Sequence, residues 1–347
     1  MINKFSVSII IANFNGENYL STCLNSVLRS SYKNYELILV DDGSTDKSIE
    51  IIEGFLKKDK RIKLLRNAQN LGAAASRNKA IRVARGKYIV FLDNDTEVTR
   101  NWLSKIIEPL NKNSQIGGVQ SLLLDFTNRD LIQTGGGLLI PHTGWLAPLY
   151  QWTKYRQMKD KITSKEIIAV SASLAVRKEI IDSISGFDEK EAIFTEDLDF
   201  CWRIWISGYK IILFPDSIAY HLSKSVEKRA GMNATYQKIY FNLAKNSFRS
   251  ILKNYSFLNI LRFLPASLAV NLGRGVLVLY ARGQIAALSG SLQGLIWNII
   301  NIADTLKERS KIQKKRKVSD FFILKQIGEV GSLMDIYNKH FKQTKLI

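Results

Sequence analysis

The chain has 347 residues, a formal net charge of +19 and 46% hydrophobic residues. This length fits one large domain or two ordinary ones with a real apolar core. Two cysteines, Cys23 and Cys201, are too few for a disulfide framework or a structural zinc site, so the composition fits a reducing compartment.

The positive charge is concentrated in the last third of the chain. From Lys224 onward there are 21 Lys and Arg against 6 Asp and Glu, a balance of +15. The first 223 residues hold 29 Lys and Arg and 25 Asp and Glu, a balance of +4. This asymmetry predicts two regions with different partners, and the usual partners of a basic region are nucleic acid or an anionic membrane surface.

Strand and helix patterns alternate from the start. The runs VSIII, ELILV, RIKLL and YIVFL predict four strands, and the five apolar residues of YIVFL predict that the fourth is buried. Apolar residues at helical spacing between them predict helices, and the third helix is expected to close at Gly86. The alternation predicts an α/β fold with a mainly parallel central sheet covered by helices.

Polar clusters follow three of these strands: ANFN, DDGS, and DND at Asp93 to Asp95. Because ligands of open α/β sheets bind beyond the carboxyl ends of the strands, the three clusters are expected to form one site. Asp41 and Asp42 could accept hydrogen bonds from a base or ribose. Asp93 and Asp95 are candidate metal ligands, since nearby carboxylates repel each other unless a cation offsets them; a solvated turn is the alternative.

Two common nucleotide-binding signatures are absent from the sequence. No G-x-G-x-x-G follows the first strand, and no G-x-x-x-x-G-K-[ST] occurs anywhere. A dinucleotide oxidoreductase and a P-loop enzyme are therefore not expected.

Five motifs in order resemble the family 2 glycosyltransferases, the inverting nucleotide-sugar enzymes of the GT-A fold. The motifs are VSIIIANFNGENYL, ELILVDDGSTD, NLGAAASRNKAI, GKYIVFLDND with a D-x-D motif, and the block ISGFDEKEAIFTEDLDFCWRIWISGYKIILFPDSIAYHLSKS. The resemblance covers residues 5 to about 225 and is of the rhamnosyltransferase-like, cell-envelope polysaccharide type. It implies a GT-A catalytic domain over 1–225, with a nucleotide-sugar half to about 98 and an acceptor half from about 99. A helical, basic, amphipathic region would follow over 226–347.

The resemblance implies roles for individual residues at the donor side. Donor contacts are expected from Ala12, Asn13, Phe14, Asp41, Asp42, Arg77, Asp93 and Asn94. The first three depart from the family's usual Pro-Thr-Tyr, so backbone contacts are expected there. A divalent metal, Mn²⁺ or Mg²⁺, would be held by Asp93, Asp95 and His221. The alternatives are a helix cap for Asp42, a solvated helix face for Arg77 and a structural role for His221.

The stretch FTEDLDFCWRIWISG predicts a helix that starts after Thr195 and stops at Gly208. Its buried side would be formed by Leu198, Trp202, Trp205 and Ile206. Glu196 and Asp197 lie in the first turn, where acidic residues also complement the helix dipole. The resemblance implies that Asp197 is the general base for the acceptor hydroxyl, with Glu196 as the second candidate. Asp199 is expected to have a structural role or a ligand-binding role.

The segment TGGGLLIPHTGWLAPLYQWTKYR predicts a flexible loop whose aromatic side chains stack on sugar rings. Trp145 and Trp152 in this segment, together with Trp202, are the candidate acceptor-binding residues. Since aromatic residues also fill cores, core packing is the alternative.

The basic part of the chain is predicted to be helical and mostly apolar. Its longest uncharged run, Gly283 to Ala303, has 21 residues and reaches spanning length, but six polar residues interrupt it. The pattern therefore predicts interfacial amphipathic helices, followed by the basic stretch KERSKIQKKRKVSD that would meet anionic lipid. A peripheral location on the cytoplasmic face of the cell membrane is expected. An ordinary helical subdomain is the alternative, and the lack of nucleic-acid-binding motifs argues against nucleic acid.

The predicted function is inverting, metal-dependent transfer of one sugar from a UDP- or dTDP-linked donor to a hydroxyl of a glycan or polyprenyl-linked glycolipid in cell-envelope polysaccharide synthesis. A nucleotidyltransferase and a non-catalytic sugar-binding protein are the alternatives. The first would carry a Gly-rich, Arg/Lys-bearing loop after its first strand, and the second would need no general base.

Overall fold

The computed structural model describes residues 5–222, 232–329 and Asp335. The chain divides into two compact units, of which the first comprises Met1–Gly136, Leu149–Ala192 and Tyr209–Ser223. The second comprises Gly137–Pro148, Ile193–Gly208 and Lys224–Ile347. The domain boundary predicted at residues 225 and 226 lies outside the described residues.

The first unit contains most of the strands. Its strands are β1 Val7–Asn13, β2 Tyr35–Asp41, β3 Ile62–Arg66, β4 Tyr88–Leu92, β5 Thr96–Val98, β6 Ile116–Asp125, β7 Ile132–Thr134, β10 Lys165–Glu166, β11 Ser173–Arg177 and β12 Lys210–His221. Its helices are α1 Leu20–Leu28, α2 Ser48–Leu56, α3 Ala73–Val83, α4 Trp102–Lys112, α5 Tyr155–Met158 and α6 Lys178–Ile184.

These strands form one sheet in the order β10-β12-β6-β11-β4-β1-β2-β3, with β5 paired to β12 and β7 paired to β6. The four predicted strands are parallel to one another, because β1 pairs with β2 and β4, and β2 pairs with β3. β11 is antiparallel to both β4 and β6, while β6 and β12 are parallel. The predicted α/β fold class with a mainly parallel central sheet is confirmed.

Burial explains why continuous apolar runs mark these strands. All residues of β2 and of β4 are buried, as expected for parallel strands that carry helices on both faces. Leu20, Cys23, Leu24 and Val27, which lie at helical spacing in the sequence, are all buried in α1.

The end of the third helix differs from the prediction. α3 ends at Val83, and the next residue, Ala84, is already extended. Gly86 is needed for another reason: a Cβ there would lie 2.5 Å from the carbonyl carbon of Val7, so the chain could not pass this close to β1. A close backbone approach, not a left-handed helix cap, requires this glycine.

The second unit begins with a hairpin where a flexible loop was predicted. β8 Gly137–Ile140 pairs with β9 Trp145–Pro148, and Gly144 adopts φ +64 in the connecting turn. The turn is tied down because the Tyr255 hydroxyl donates to the carbonyl of Pro141, 3.1 Å away. The glycines of this segment therefore serve a tight turn and close packing.

The remaining helices of the second unit confirm the predicted helical C-terminal region. They are α7 Glu196–Ile206, α8 Met232–Asn254, α9 Phe257–Arg282, α10 Ile285–Ile300, α11 Ile302–Lys314 and α12 Asp320–Ile327. The uncharged run from Gly283 is not one helix, since α10 and α11 meet at Asn301 with a bend of 70°. By length and composition α9 is the one described helix that could cross a membrane by itself, and α10 with α11 could do so only as a bent pair.

Candidate active site

The D-x-D motif and His221 meet at the carboxyl end of the sheet in the first unit. Asp93 follows β4 directly, and β5 pairs antiparallel with the end of β12 so that Thr96 lies opposite His221. This pairing brings Nε2 of His221 within 3.2 Å of Oδ1 of Asp95 and 3.6 Å of Oδ2 of Asp93. Two distant segments of the sequence thus form one cluster.

The cluster has the donor set of a divalent metal site. One ligand atom from each of Asp93, Asp95 and His221 lies within 4.8 Å of the other two. Carboxylate oxygens with an imidazole nitrogen suit Mn²⁺, and carboxylates suit Mg²⁺. Asp95 is 8% exposed and Asp93 is 33% exposed, so the cluster is accessible on one side only.

A buried thiol lies beside the cluster. The Sγ of Cys23 is 3.5 Å from the carbonyl oxygen of Asp93. Burial, followed by the negative charge of Asp95, raises the pKa of the Cys23 thiol far above its ordinary value. The thiol is therefore neutral and donates a hydrogen bond to this carbonyl.

Arg77 is tied to the cluster. Its guanidinium Nη2 lies 3.0 Å from Oδ1 of Asp93, and its Cζ lies 5.5 Å from the ring centre of Phe187. Because Arg77 is only 5% exposed, the alternative of a solvated helix face is wrong; Arg82, with its side chain 65% exposed, occupies such a face. Arg77 is placed to orient Asp93 and to supply positive charge beside it.

The polar residues at the ends of β1 and β2 join the D-x-D loop through one hydrogen-bonded network. Asn13 Nδ2 donates to Oδ1 of Asp41 at 3.1 Å, and Asn94 Nδ2 donates to Oδ1 of Asn13 at 2.7 Å. Asp41 Oδ2 in turn accepts from the backbone N–H of Ser44. The convergence of the three predicted clusters on one region is therefore seen in the structure.

Asp42 holds the loop before α3 instead of capping the helix that follows it. Its Oδ1 accepts from Asn67 Nδ2 at 2.7 Å and from the N–H of Leu71 at 3.0 Å. Its Oδ2 accepts from the N–H of Gly72 at 2.8 Å. The alternative of a cap on α2 is wrong, because α2 starts after Lys47.

Gly16 lies against the Asn13–Asn94 hydrogen bond. A Cβ at Gly16 would collide with both atoms of that bond, Oδ1 of Asn13 and Nδ2 of Asn94. We expect Gly16→Ala to lower the free energy of unfolding by about 1–3 kcal/mol and to weaken donor binding, since the network must shift. Urea unfolding and the donor KM measure this.

Gly54 provides the matched control for Gly16. It lies inside α2, and a Cβ there meets nothing within 4 Å. Gly54→Ala is expected to stabilise the protein by up to about 1 kcal/mol, because alanine favours the helix. Equal effects of the two substitutions would contradict the packing argument.

Helix α7 of the second unit carries the candidate base. Thr195 is its N-cap residue, and Gly208 adopts φ +85 just after its end, as predicted. The predicted buried side is confirmed for Leu198, Trp202, Trp205 and Ile206. Asp197 is partly buried and its Oδ1 accepts from the N–H of Leu198 at 2.9 Å, whereas Glu196 is buried.

Asp199 has a structural role in the second unit. Its carboxylate contacts Arg203 Nε at 2.8 Å, Lys253 Nζ at 3.0 Å and Asn254 Nδ2 at 2.8 Å. The side chains of Asp199 and Lys253 are 0% and 1% exposed. Breaking this pair leaves a buried cation without its counter-charge, which is far more costly than losing a surface pair.

We therefore expect Asp199→Asn to lower the free energy of unfolding by about 3–5 kcal/mol. The exposed pair between Lys178 and Asp182, 2.7 Å apart, provides the control, because Asp182→Asn should change stability by less than about 1 kcal/mol. Chemical denaturation of both variants measures this. A loss below about 1 kcal/mol for Asp199→Asn would contradict the assignment.

The candidate acceptor-binding tryptophans lie in different environments. Trp152, in the first unit, is 38% exposed and has φ 59. Trp145, on β9, is partly buried with the Arg274 guanidinium 4.9 Å from its ring centre. Trp202 is 0% exposed and packs edge-on against Tyr255. A sugar can stack only on an accessible ring face, so Trp202 is a core residue and Trp145 and Trp152 remain the candidates.

Sequence comparison identifies relatives of the chain. The chain matches the family described as glycosyl transferase family 2 over residues 8–184, which include the D-x-D motif but not Asp197 or His221. An uncharacterized glycosyltransferase of Methanocaldococcus jannaschii is 33% identical over 211 residues, covering 60% of this chain and 68% of that protein. An uncharacterized glycosyltransferase of Haemophilus influenzae is 49% identical over 104 residues, 30% of this chain and 42% of that protein. The match thus spans less than half the length of the Haemophilus relative.

Structural comparison agrees with the family match. The crystal structure of GalNAc-T7 with UDP, GalNAc and Mn²⁺ is similar, with a TM-score of 0.65, 18% identity and coverage of 98% of this chain and 59% of that chain. At this identity the similarity shows the fold, which is the GT-A fold. The sequence match and this fold together show that the chain belongs to glycosyl transferase family 2.

Proposed function

We propose that the protein transfers one sugar, in a metal-dependent and inverting reaction, from a UDP- or dTDP-linked donor to a hydroxyl of a glycan or polyprenyl-linked glycolipid. The observation that carries this proposal is the cluster of Asp93, Asp95 and His221 beside the Asn13–Asp41 network. The structurally similar GalNAc-T7 was crystallised with UDP and Mn²⁺, which supports a metal-bound nucleotide at this edge of the sheet. Cell-envelope polysaccharide synthesis is the proposed pathway, following the family resemblance.

The proposed donor site extends from the metal cluster to the ends of β1 and β2. Asp93, Asp95 and His221 would hold Mn²⁺ or Mg²⁺, which supplies positive charge to the leaving diphosphate. Arg77 keeps Asp93 in place through their 3.0 Å contact. Phe14 is 46% exposed and provides a ring for the nucleotide base, while Ala12 and Asn94 are partly buried next to the network. Asp41 and Asp42 shape the donor site through the loops whose N–H groups their carboxylates accept from.

The proposed reaction is a single in-line displacement. Asp197 accepts the proton of the acceptor hydroxyl, whose oxygen forms a bond to the anomeric carbon. The bond from that carbon to the diphosphate oxygen breaks on the opposite face, and the electron pair leaves with the nucleoside diphosphate. One displacement inverts the anomeric configuration, and the carboxylate acts as a general base without forming a covalent intermediate.

The direct test is nucleoside diphosphate release from a panel of nucleotide sugars with Mn²⁺, Mg²⁺ or EDTA, with and without lipid-linked acceptor extract. We expect release from one donor, faster with acceptor, and none with EDTA. Pyrophosphate release from a nucleoside triphosphate would instead establish a nucleotidyltransferase. Binding of a sugar with no turnover under any condition would establish a sugar-binding protein.

We also propose that the described C-terminal helices bind an anionic membrane surface. The structure describes every residue between Phe257 and Glu329. In this range the four acidic residues are buried or partly buried, whereas most of the basic residues are exposed. Apolar side chains on the same helices face outward: Leu258, Ile299 and Phe321 are 77%, 72% and 77% exposed. Exposed apolar side chains with basic neighbours match an anionic bilayer interface, which is apolar inside and negative at the surface.

Vesicle binding tests this surface. Replacing the exposed Lys307, Lys314 and Lys315 with Gln is expected to weaken binding to vesicles containing anionic lipid by roughly 100-fold at low salt, since each lysine contributes about 1 kcal/mol. The matched control replaces Lys57, Lys58 and Lys60, which are exposed in the first unit, and should leave binding unchanged. Equal loss in both variants, or no binding by the unmodified protein, would contradict the proposal.

A further inference from the structure

Gln133 is a buried polar residue beside His221 that the sequence motifs did not identify. It is 6% exposed and lies on β7 of the first unit. Its Oε1 is 2.8 Å from Nδ1 of His221, the ring nitrogen on the side away from the two aspartates. Gln133 therefore contacts the candidate metal ligand without being a ligand itself.

A bulge in the sheet directs Gln133 toward His221. β7 and β12 both pair with β6, and His221 lies opposite Asp125. In the β6–β7 pairing, Leu123 lies opposite Thr134 and Leu124 opposite Ile132, so Gln133 is the extra residue of the bulge. A bulge changes the direction of a side chain relative to the regular alternation, and bulges occur often next to active sites.

The hydrogen bond selects one form of the imidazole. A neutral imidazole has one N–H and one nitrogen lone pair, and an amide oxygen can only accept a hydrogen bond. When the imidazole is neutral and the oxygen of Gln133 faces it, as here, the single proton of His221 is on Nδ1. The lone pair is then on Nε2, which lies 3.2 Å from Asp95 and 3.6 Å from Asp93. This is the tautomer that binds a metal together with these carboxylates.

We propose that Gln133 is a positioning residue that keeps His221 in the metal-binding tautomer and fixes the orientation of its ring. The proposal rests on the proposed metal-dependent function and names a residue that acts on the metal only through His221. Partners of ligating histidines change metal affinity by roughly 10–100-fold when they are removed. Gln133→Met keeps the length of the side chain and removes the acceptor, whereas Gln133→Glu keeps an acceptor.

The tautomer can be read directly in metal-free protein, at a pH where the ¹⁵N signals themselves show that the imidazole is neutral. The chain has only 3 histidines, so ¹⁵N-histidine labelling gives few signals, and His221→Asn assigns the one of interest. We expect a protonated Nδ1 in the unmodified protein and in Gln133→Glu, and a protonated Nε2 in a measurable fraction of Gln133→Met. A protonated Nε2 in the unmodified protein, or an unchanged tautomer in Gln133→Met, would overturn the proposal.

Mn²⁺ affinity, followed by electron paramagnetic resonance, tests the consequence for the site. Gln133→Met should bind Mn²⁺ roughly 10–100-fold more weakly, and Gln133→Glu should bind within a few-fold of the unmodified protein. The control is Thr134→Val on the same strand, because the Thr134 hydroxyl donates to the carbonyl of Gly136 and not to His221. Equal weakening by Thr134→Val would show a general defect of β7 and overturn the proposal. Failure of the unmodified protein to bind Mn²⁺ would overturn the proposed function itself, while the tautomer would still be measurable.

Discussion

Replacing Asp197 with Asn is expected to lower kcat for sugar transfer by about 10³-fold, a loss of about 4 kcal/mol, because general base catalysis commonly contributes 10²- to 10⁴-fold. Asparagine keeps the oxygen that accepts from the N–H of Leu198, so the start of α7 should remain intact. Mn²⁺ affinity and the donor KM should stay within a few-fold, since the change affects proton removal and not donor binding. Steady-state kinetics with saturating acceptor measure this.

Two neighbouring carboxylates serve as comparisons for Asp197. Glu196→Gln should reduce kcat much less if Asp197 is the base, and the reverse order would assign that role to Glu196. Asp199→Asn should mainly lose stability, because Asp199 is paired with Arg203 and Lys253. A fully active Asp197→Asn enzyme would contradict the proposed mechanism.

Replacing Asp95 with Asn is expected to lower kcat/KM by on the order of 10³-fold and to weaken Mn²⁺ binding, because the metal then loses an anionic ligand. Asp95 is better suited than Asp93 to this test. Its side chain is only 8% exposed and lies closer to His221 Nε2, whereas Asp93 is also paired with Arg77. Nucleoside diphosphate release across a Mn²⁺ titration measures both effects.

Asp182→Asn controls for the loss of one carboxylate, since Asp182 is an exposed residue paired with Lys178. It should leave turnover and Mn²⁺ affinity unchanged. If high Mn²⁺ concentrations partly restore Asp95→Asn, the residue is a ligand. If turnover of Asp95→Asn is normal and insensitive to EDTA, the metal assignment is wrong.

The parallel part of the sheet could be predicted because its signals are local. β1, β2 and β4 are short apolar runs, each followed by a polar cluster, and strand burial on both faces produces such runs. The site followed from the same pattern, since the ends of parallel strands meet at one edge of a sheet. Placing His221 beside the D-x-D motif depended on the family resemblance, because its cause is the pairing of β5 with β12, two segments more than 100 residues apart.

Other features depend on tertiary contacts that leave no local pattern. The glycines and aromatics of residues 134–156 are compatible with a loop, and the β8–β9 hairpin is specified in part by its contact with Tyr255. The three hydrogen bonds of Asp42 come from residues 67–72, so sequence proximity suggested the wrong helix for it. The position of Gln133 depends on a bulge between β6 and β7. A bulge arises from the pairing of two strands, so the sequence of one strand does not predict it.

The most direct test of the central claim is the anomalous scattering of Mn²⁺ in crystals grown with Mn²⁺ and the nucleoside diphosphate of the donor that the panel identifies. We predict one strong peak within about 2.0–2.4 Å of a carboxylate oxygen of Asp95 and of Nε2 of His221, with a diphosphate oxygen on its open side. A nucleotide bound with no peak there, or a peak held by other residues, would contradict the account.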